Sequence, residues 1–150
     1  MNFQYIDAQA IKIARAYGAE TVRSDCLLGA IIINKNQRKR NGIEGFFEHI
    51  GLEVEEISKE LKFELDKIVT ARSEALPSVE HDSPITKSIK SYARYFKPLI
   101  KDSDAIMVLL GITMNHKGLA YQVLERVAER KGIKIDYIEG AIRSIYLGEN

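Results

Sequence analysis

The sequence predicts an all-α protein of eight helices, arranged as two pseudo-twofold-related four-helix repeats, and three observations point to it. First, Ser103 to Met114 is apolar almost all round, which on a helix means burial on every side. Second, Ser24 to Ile33 repeats that pattern roughly 80 residues earlier, with the same Ser-Asp start and another apolar run. Third, no segment sustains the alternation of a half-buried strand; Ile31 to Ile33 is β-branched but short and framed by helical signals. The duplication extends outward from these two runs. Ala10 to Ala14 has a counterpart in Ser88 to Tyr92, and Asn41-Gly42-Ile43 in Lys117-Gly118-Leu119. Gly51-Leu52-Glu53-Val54 likewise matches Gly132-Ile133-Lys134-Ile135.

In chain order, Asp7 is the expected N-cap of the first helix, with Ala10, Ile13, Ala14 and Tyr17 on one face and Gly18 as its stop. The second helix is the run from Ser24, with Ser24 as N-cap. The polar, basic stretch Asn34 to Asn41 reads as a solvated loop. A third helix, Gly42 to Ile50, sets Ile43, Phe46, Phe47 and Ile50 on one face, and Gly51 ends it. The fourth carries Val54, Ile57, Leu61, Leu65 and Ile68 and is expected to reach about Arg72. Glu74 to Pro84, with two prolines and no periodicity, reads as a linker. The fifth helix presents Ile89, Tyr92, Ala93 and Phe96 and ends before Pro98. The sixth is the run from Ser103. The seventh shows Leu119, Ala120, Val123, Leu124 and Val127, and the eighth Ile138, Ala141, Ile142 and Ile145. The whole is read as a single domain over 1–150, with repeats at about 7–72 and 85–147 and the linker at about 73–84.

Bulk properties exclude several classes of function. A length of 150 residues suits one domain with a sizeable core, and a net charge of +1 gives no field favouring nucleic acid or anionic membrane. Arg38-Lys39-Arg40 lacks interleaved aromatics, which leaves a solvated loop as the better account than a phosphate contact. One cysteine, Cys26, rules out an intrachain disulfide, and neither a signal-peptide pattern nor a spanning run of about 18 apolar residues occurs. The expected compartment is therefore the cytoplasm. Three scattered histidines and no acids at ligand spacing argue against a metal centre, and no cofactor is expected.

These residues resemble the N-terminal domain of the Clp-type AAA+ unfoldases, which carries a tandem four-helix repeat. The matching pieces are Ser24-Asp25-Cys26-Leu27-Leu28, Asn41-Gly42-Ile43 and Gly51-Leu52-Glu53-Val54. The second set is Ser103-Asp104-Ala105-Ile106-Met107, Gly118-Leu119-Ala120, Val123-Leu124-Glu125 and Gly132-Ile133, and Ser83-Pro84-Ile85-Thr86 resembles the start of the family's fifth helix. Asp25 and Asp104 stand where the family has Glu, and Cys26 and Ala105 where it has His. No Gly-x-x-x-x-Gly-Lys-Ser/Thr loop is present, so the resemblance is to the N-domain without the ATPase part. It leaves open whether the chain stands alone or belongs to a longer one. It implies a non-catalytic module that recruits substrates or adaptors to the ATPase ring. The alternative is a structural or regulatory interaction protein unconnected to an unfoldase. Expected partners are proteins or peptides, an AAA+ unfoldase among them, and neither nucleic acid nor membrane.

The resemblance also implies candidate site residues. In some Clp N-domains the Glu at this position binds phosphorylated arginine, which places a ligand site at Ser24 and Asp25 and again at Ser103 and Asp104. A carboxylate would meet the guanidinium while hydroxyls and free helix-end amides take the phosphate. The simpler account of all four is helix capping and a favourable interaction with the helix dipole. Cys26 at a helix start invites a nucleophile reading, but no histidine lies near it in sequence, and a small buried residue is the better account. Tyr95 falls off the apolar face of its helix and is the candidate groove aromatic.

Overall fold

Two helices with no polar face set the plan of the molecule. The computed structural model describes residues 2–71, 81–96 and 104–149, and within them the chain forms helices and no strand. In order these are α1 (Phe3–Tyr17), α2 (Ser24–Ile32), α3 (Lys35–Arg40), α4 (Ile43–His49) and α5 (Val54–Ala71), followed by α6 (Pro84–Phe96), α7 (Asp104–Met114), α8 (Leu119–Arg130) and α9 (Asp136–Leu147). Every residue of α2 is buried, as is α7 from Ala105 to Thr113. Helix α1 packs along α2 and α6 along α7; α2 also meets α5, α7 and α8, and α7 meets α9. Fully burying one Leu or Ile side chain contributes about 1.5–3 kcal/mol, so these two helices dominate the apolar core.

The close pairing of α6 with α7 depends on a missing side chain. A Cβ built on Gly111 would lie 2.7 Å from the Ile89 carbonyl oxygen of α6. Gly29 on α2 plays a similar part toward α1, where a Cβ would lie 2.9 Å from Ile13 Cδ1. The first obstacle is backbone and cannot swing aside; the second is the end of a side chain.

Nine helices stand among the described residues where eight were expected, and the extra one is the basic stretch. Asn34 caps α3 by accepting the Gln37 amide at 3.0 Å. Arg38, read as solvated, is only 3% exposed. Its guanidinium pairs with Glu44 at 3.0 Å and with Glu55, and it donates to the Ile32 carbonyl at 3.2 Å. Asn41 Nδ2 donates to the Ile31 carbonyl at 3.4 Å. The last carbonyls of α2, which have no partner within their own helix, are thus closed by two polar side chains from the segment that follows.

Other boundaries also move. Helix α1 begins at Phe3 with Asn2 as its cap, accepting from Tyr5 at 2.9 Å, and not at Asp7. Asp7 lies inside the helix and pairs with Lys90 of α6 at 2.8 Å, and Lys90 also reaches Asp82 at 2.8 Å. Val22 exchanges backbone bonds with the segment before α6: its amide donates to the His81 carbonyl at 2.9 Å and its carbonyl accepts from Ser83 at 3.0 Å. Most of the expected linker, residues 72–80, lies outside the described residues, as does Pro98. Helix α5 does run to Ala71, with Val54, Ile57, Leu61, Leu65 and Ile68 buried. Tyr92 and Ile145, both expected on core faces, are 38% and 48% exposed. Each sits at the margin of an arc that Ile89, Ala93 and Phe96, or Ile138, Ala141 and Ile142, already fill.

Because the Gly111 contact is with backbone, Gly111→Ala should destabilise the fold by about 1–3 kcal/mol, lowering Tm by several degrees. Gly140, mid-helix in α9, has nothing within 4 Å of its would-be Cβ. Gly140→Ala should therefore be neutral or stabilising by up to about 1 kcal/mol. Thermal melts in which both substitutions behave alike would contradict this packing.

Candidate functional site

Ser24, the expected N-cap of α2, is its first helical residue instead; the cap position is Arg23, which makes no side-chain capping bond. The Ser24 hydroxyl faces another helix and accepts the Ala120 amide in the first turn of α8 at 3.1 Å. Gly118, the cap residue of α8, has no side chain to do this, and a Cβ there would approach Ser24 Oγ to 3.2 Å. A hydroxyl from the first half of the chain thus closes a helix of the second.

Asp25 is fully buried. Arg23 grips it in a fork, Nε to Oδ1 at 3.2 Å and Nη2 to Oδ2 at 2.8 Å, and the Cys26 amide adds a third donor to Oδ1 at 3.0 Å. Burial pushes the Asp25 carboxyl above its ordinary pKa, with the Arg23 charge and hydrogen bonds working against it. Arg23 therefore occupies the carboxylate edge that a ligand guanidinium would use. Cys26, also fully buried, has its thiol pushed up to about 12, by burial first and the Asp25 charge second. The thiol stays protonated at neutral pH, which removes the nucleophile the sequence offered.

In the second half, Ser103 lies outside the described residues, and Asp104 opens α7. The Asp104 carboxylate accepts the Phe3 amide at 2.9 Å, placing negative charge at the N-terminal end of α1. Ser24 and Asp104 each close the start of a helix other than their own.

The aromatic at the expected groove position is open. Tyr95 is 73% exposed and stands edge-on to Phe96, ring centroids 5.1 Å apart. Phe96 is buried beneath the Arg143 guanidinium, 5.4 Å from the ring centre, so α9 anchors the end of α6 that carries Tyr95. Tyr92, one turn earlier on the same side, extends this aromatic face. Its spacing three residues before Tyr95 was the available signal, masked by its closeness to the Ile89–Phe96 stripe. Among the described residues no three His, Cys, Asp or Glu side chains converge closely enough to hold a metal ion. No helix there is long and apolar enough to cross a membrane.

No family model matches the chain, and no curated protein matches it in sequence. Among solved structures it is similar to the Hsp104 N-terminal domain from Candida albicans, with a TM-score of 0.72 over 99% of this chain and 91% of that one, at 15% identity. At this identity the likeness establishes the architecture: the chain has an all-α, Clp N-domain-like fold.

The Arg23–Asp25 pair gives a pH signature. A carboxyl whose folded pKa is raised binds its proton more tightly in the native state, so its contribution to stability falls as pH rises from the ordinary carboxylate value through the raised one. Arg23→Gln removes the compensating charge and should cost about 3 kcal/mol at pH 7. The deficit should shrink as the pH is lowered and Asp25, its carboxyl raised by burial, takes up its proton, and Arg23→Gln/Asp25→Asn should recover most of it. Melts showing the same deficit at pH 7 and across the acid range would contradict this assignment.

Proposed function

We propose that the chain is a non-catalytic recognition module that binds protein or peptide segments in the cytoplasm, recruiting substrates or adaptors to a Clp-class unfoldase. The observation that carries this reading is the fold, shared with the Hsp104 N-terminal domain over 99% of the chain. The open aromatic face of α6 supports it, because Tyr92 and Tyr95 present apolar rings and hydroxyls to solvent where a segment can dock. We further read the molecule as one domain of two repeats, with α2 and α7 as equivalent central helices and α3 an addition to the first. The guanidinium-phosphate reading of Ser24, Asp25, Ser103 and Asp104 requires a ligand to displace Arg23 from Asp25. The α6 face needs no such displacement.

Titration of a permanently unfolded, carboxymethylated protein into the 15N-labelled chain tests the reading. The expected outcome is shifts clustered at Tyr92, Tyr95 and their neighbours, and binding at least fivefold weaker in Tyr95→Ser with the melt unchanged. No shifts at hundreds of micromolar ligand would refute it. Capture of an AAA+ ring on the immobilised protein would separate unfoldase recruitment from an unconnected interaction role.

A further inference from the structure

Helix α8 has two charged sides that are treated differently. Arg126 and Arg130 face α5, where Arg126 bridges Glu60 at 2.7 Å and Glu64 at 3.0 Å, and Arg130 reaches Glu60 at 2.9 Å. Tyr121, Glu125 and Glu129, at i, i+4 and i+8, line a groove closed by the α8–α9 connection and the start of α9. Its other charged lining residues are Asp136 and Lys134. Glu125, Glu129 and Asp136 have no ion-pair partner among the described residues, whereas Glu56, Glu60 and Glu64 of α5 are paired. Three acids against one lysine leave the groove net negative, in a protein whose formal net charge is +1.

The groove also has an apolar component and a waiting donor. Ile133 and Ile135 line it. Tyr121, only 8% exposed, lines it as well, and its hydroxyl has no hydrogen-bond partner among the described residues. The ring is covered while the hydroxyl remains accessible from the groove, where it can bond a group supplied from outside. The surrounding charge acts on this phenol: burial and then Glu125, Asp136 and Glu139 push its pKa up. The exposed His116 ring lies 4.9 Å from the Tyr121 ring. The acids are strung along the groove and do not converge on a metal-sized point.

We propose that the α8–α9 groove binds a basic peptide segment, an Arg or Lys beside an apolar residue. The cation meets Glu125, Glu129 and Asp136; the Tyr121 hydroxyl bonds the peptide backbone; the apolar neighbour rests on Ile133 and Ile135. Attraction of this kind is screened by salt, with a Debye length of about 10 Å at 0.1 M. The assignment rests on the recognition reading above and adds the site and the ligand class.

The test is an NMR titration of the full chain with the peptide Ac-Leu-Arg-Arg-Leu-Ala-NH2 and its Glu-Glu counterpart at 50 mM NaCl. Shifts at Tyr121, Glu125, Ile133 and Asp136 with the arginine peptide alone are expected. Binding should weaken at least tenfold in Glu125→Gln/Glu129→Gln and a few-fold in Tyr121→Phe, all variants keeping the wild-type melt. Equal response to both peptides, no response to either, or shifts confined to the Tyr92–Tyr95 face would overturn the groove assignment. If the unfolded protein still binds α6, the recognition reading survives that failure; if it too is silent, both fall. A second copy of the chain, with Lys35, Lys39 and Arg40 exposed, offers the same charge. Sedimentation showing a dimer whose interface maps to the groove would overturn the peptide assignment, and a monomer supports it.

Discussion

A helix buried on all sides can hydrogen-bond its own middle but not its ends, and α2 places that problem at the centre of the fold. Its terminal carbonyls at Ile31 and Ile32 receive Asn41 and Arg38 from the following segment. At its start, the Ser24 hydroxyl caps no amide of α2 and instead accepts the Ala120 amide, closing α8. On α7, Asp104 closes α1 through the Phe3 amide. An unpaired polar group in an apolar interior costs roughly 1–3 kcal/mol, so Asn41 and Arg38 let the end of α2 be buried, while Ser24 and Asp104 let the starts of α8 and α1 pack beside α2 and α7. These contacts also explain why the short α3 exists: it holds Arg38 where one guanidinium serves the end of α2 and the carboxylates of Glu44 and Glu55 together.

The apolar framework was readable from the sequence because its signals are local. The runs at Leu27–Ile32 and Ile106–Ile112 have no polar side to leave in water, and the i, i+3, i+4 spacing of α5 and α8 marks their buried stripes. Gly18, Gly51 and Gly132 take left-handed φ values of 77°, 87° and 70° at the chain's stops. Polar assignments were less readable because their partners are remote. Ser24 meets Ala120 across 96 residues and Asp104 meets Phe3 across 101, while the same Ser-Asp pattern is also an ordinary N-cap signature. Arg38 sits in a run that looks solvated, and its partners lie 6 and 17 residues further on.

The same distinction governs the candidate surfaces. Asp25 offered recognition chemistry by position, yet a neighbour two residues away already satisfies it. Tyr95 lay off its stripe and is exposed, as its spacing required. The α8–α9 groove gave no sequence signal, because Glu125 and Glu129 resemble the acids of any surface helix until the structure shows that their arginine neighbours turn the other way. What sets the proposed binding faces apart from Asp25 is charge and hydrogen-bonding capacity left unspent after folding.

Native-state hydrogen exchange measures the central constraint directly. If α2 and α7 are the closed, buried axis of the fold, the amides of residues 29–33 and 108–112 should exchange only through global unfolding, with protection equal to the full unfolding free energy. The exposed ends of α1 and α9 should exchange far faster. Residues 29–33 or 108–112 opening as readily as those ends, well below the global free energy, would contradict the account.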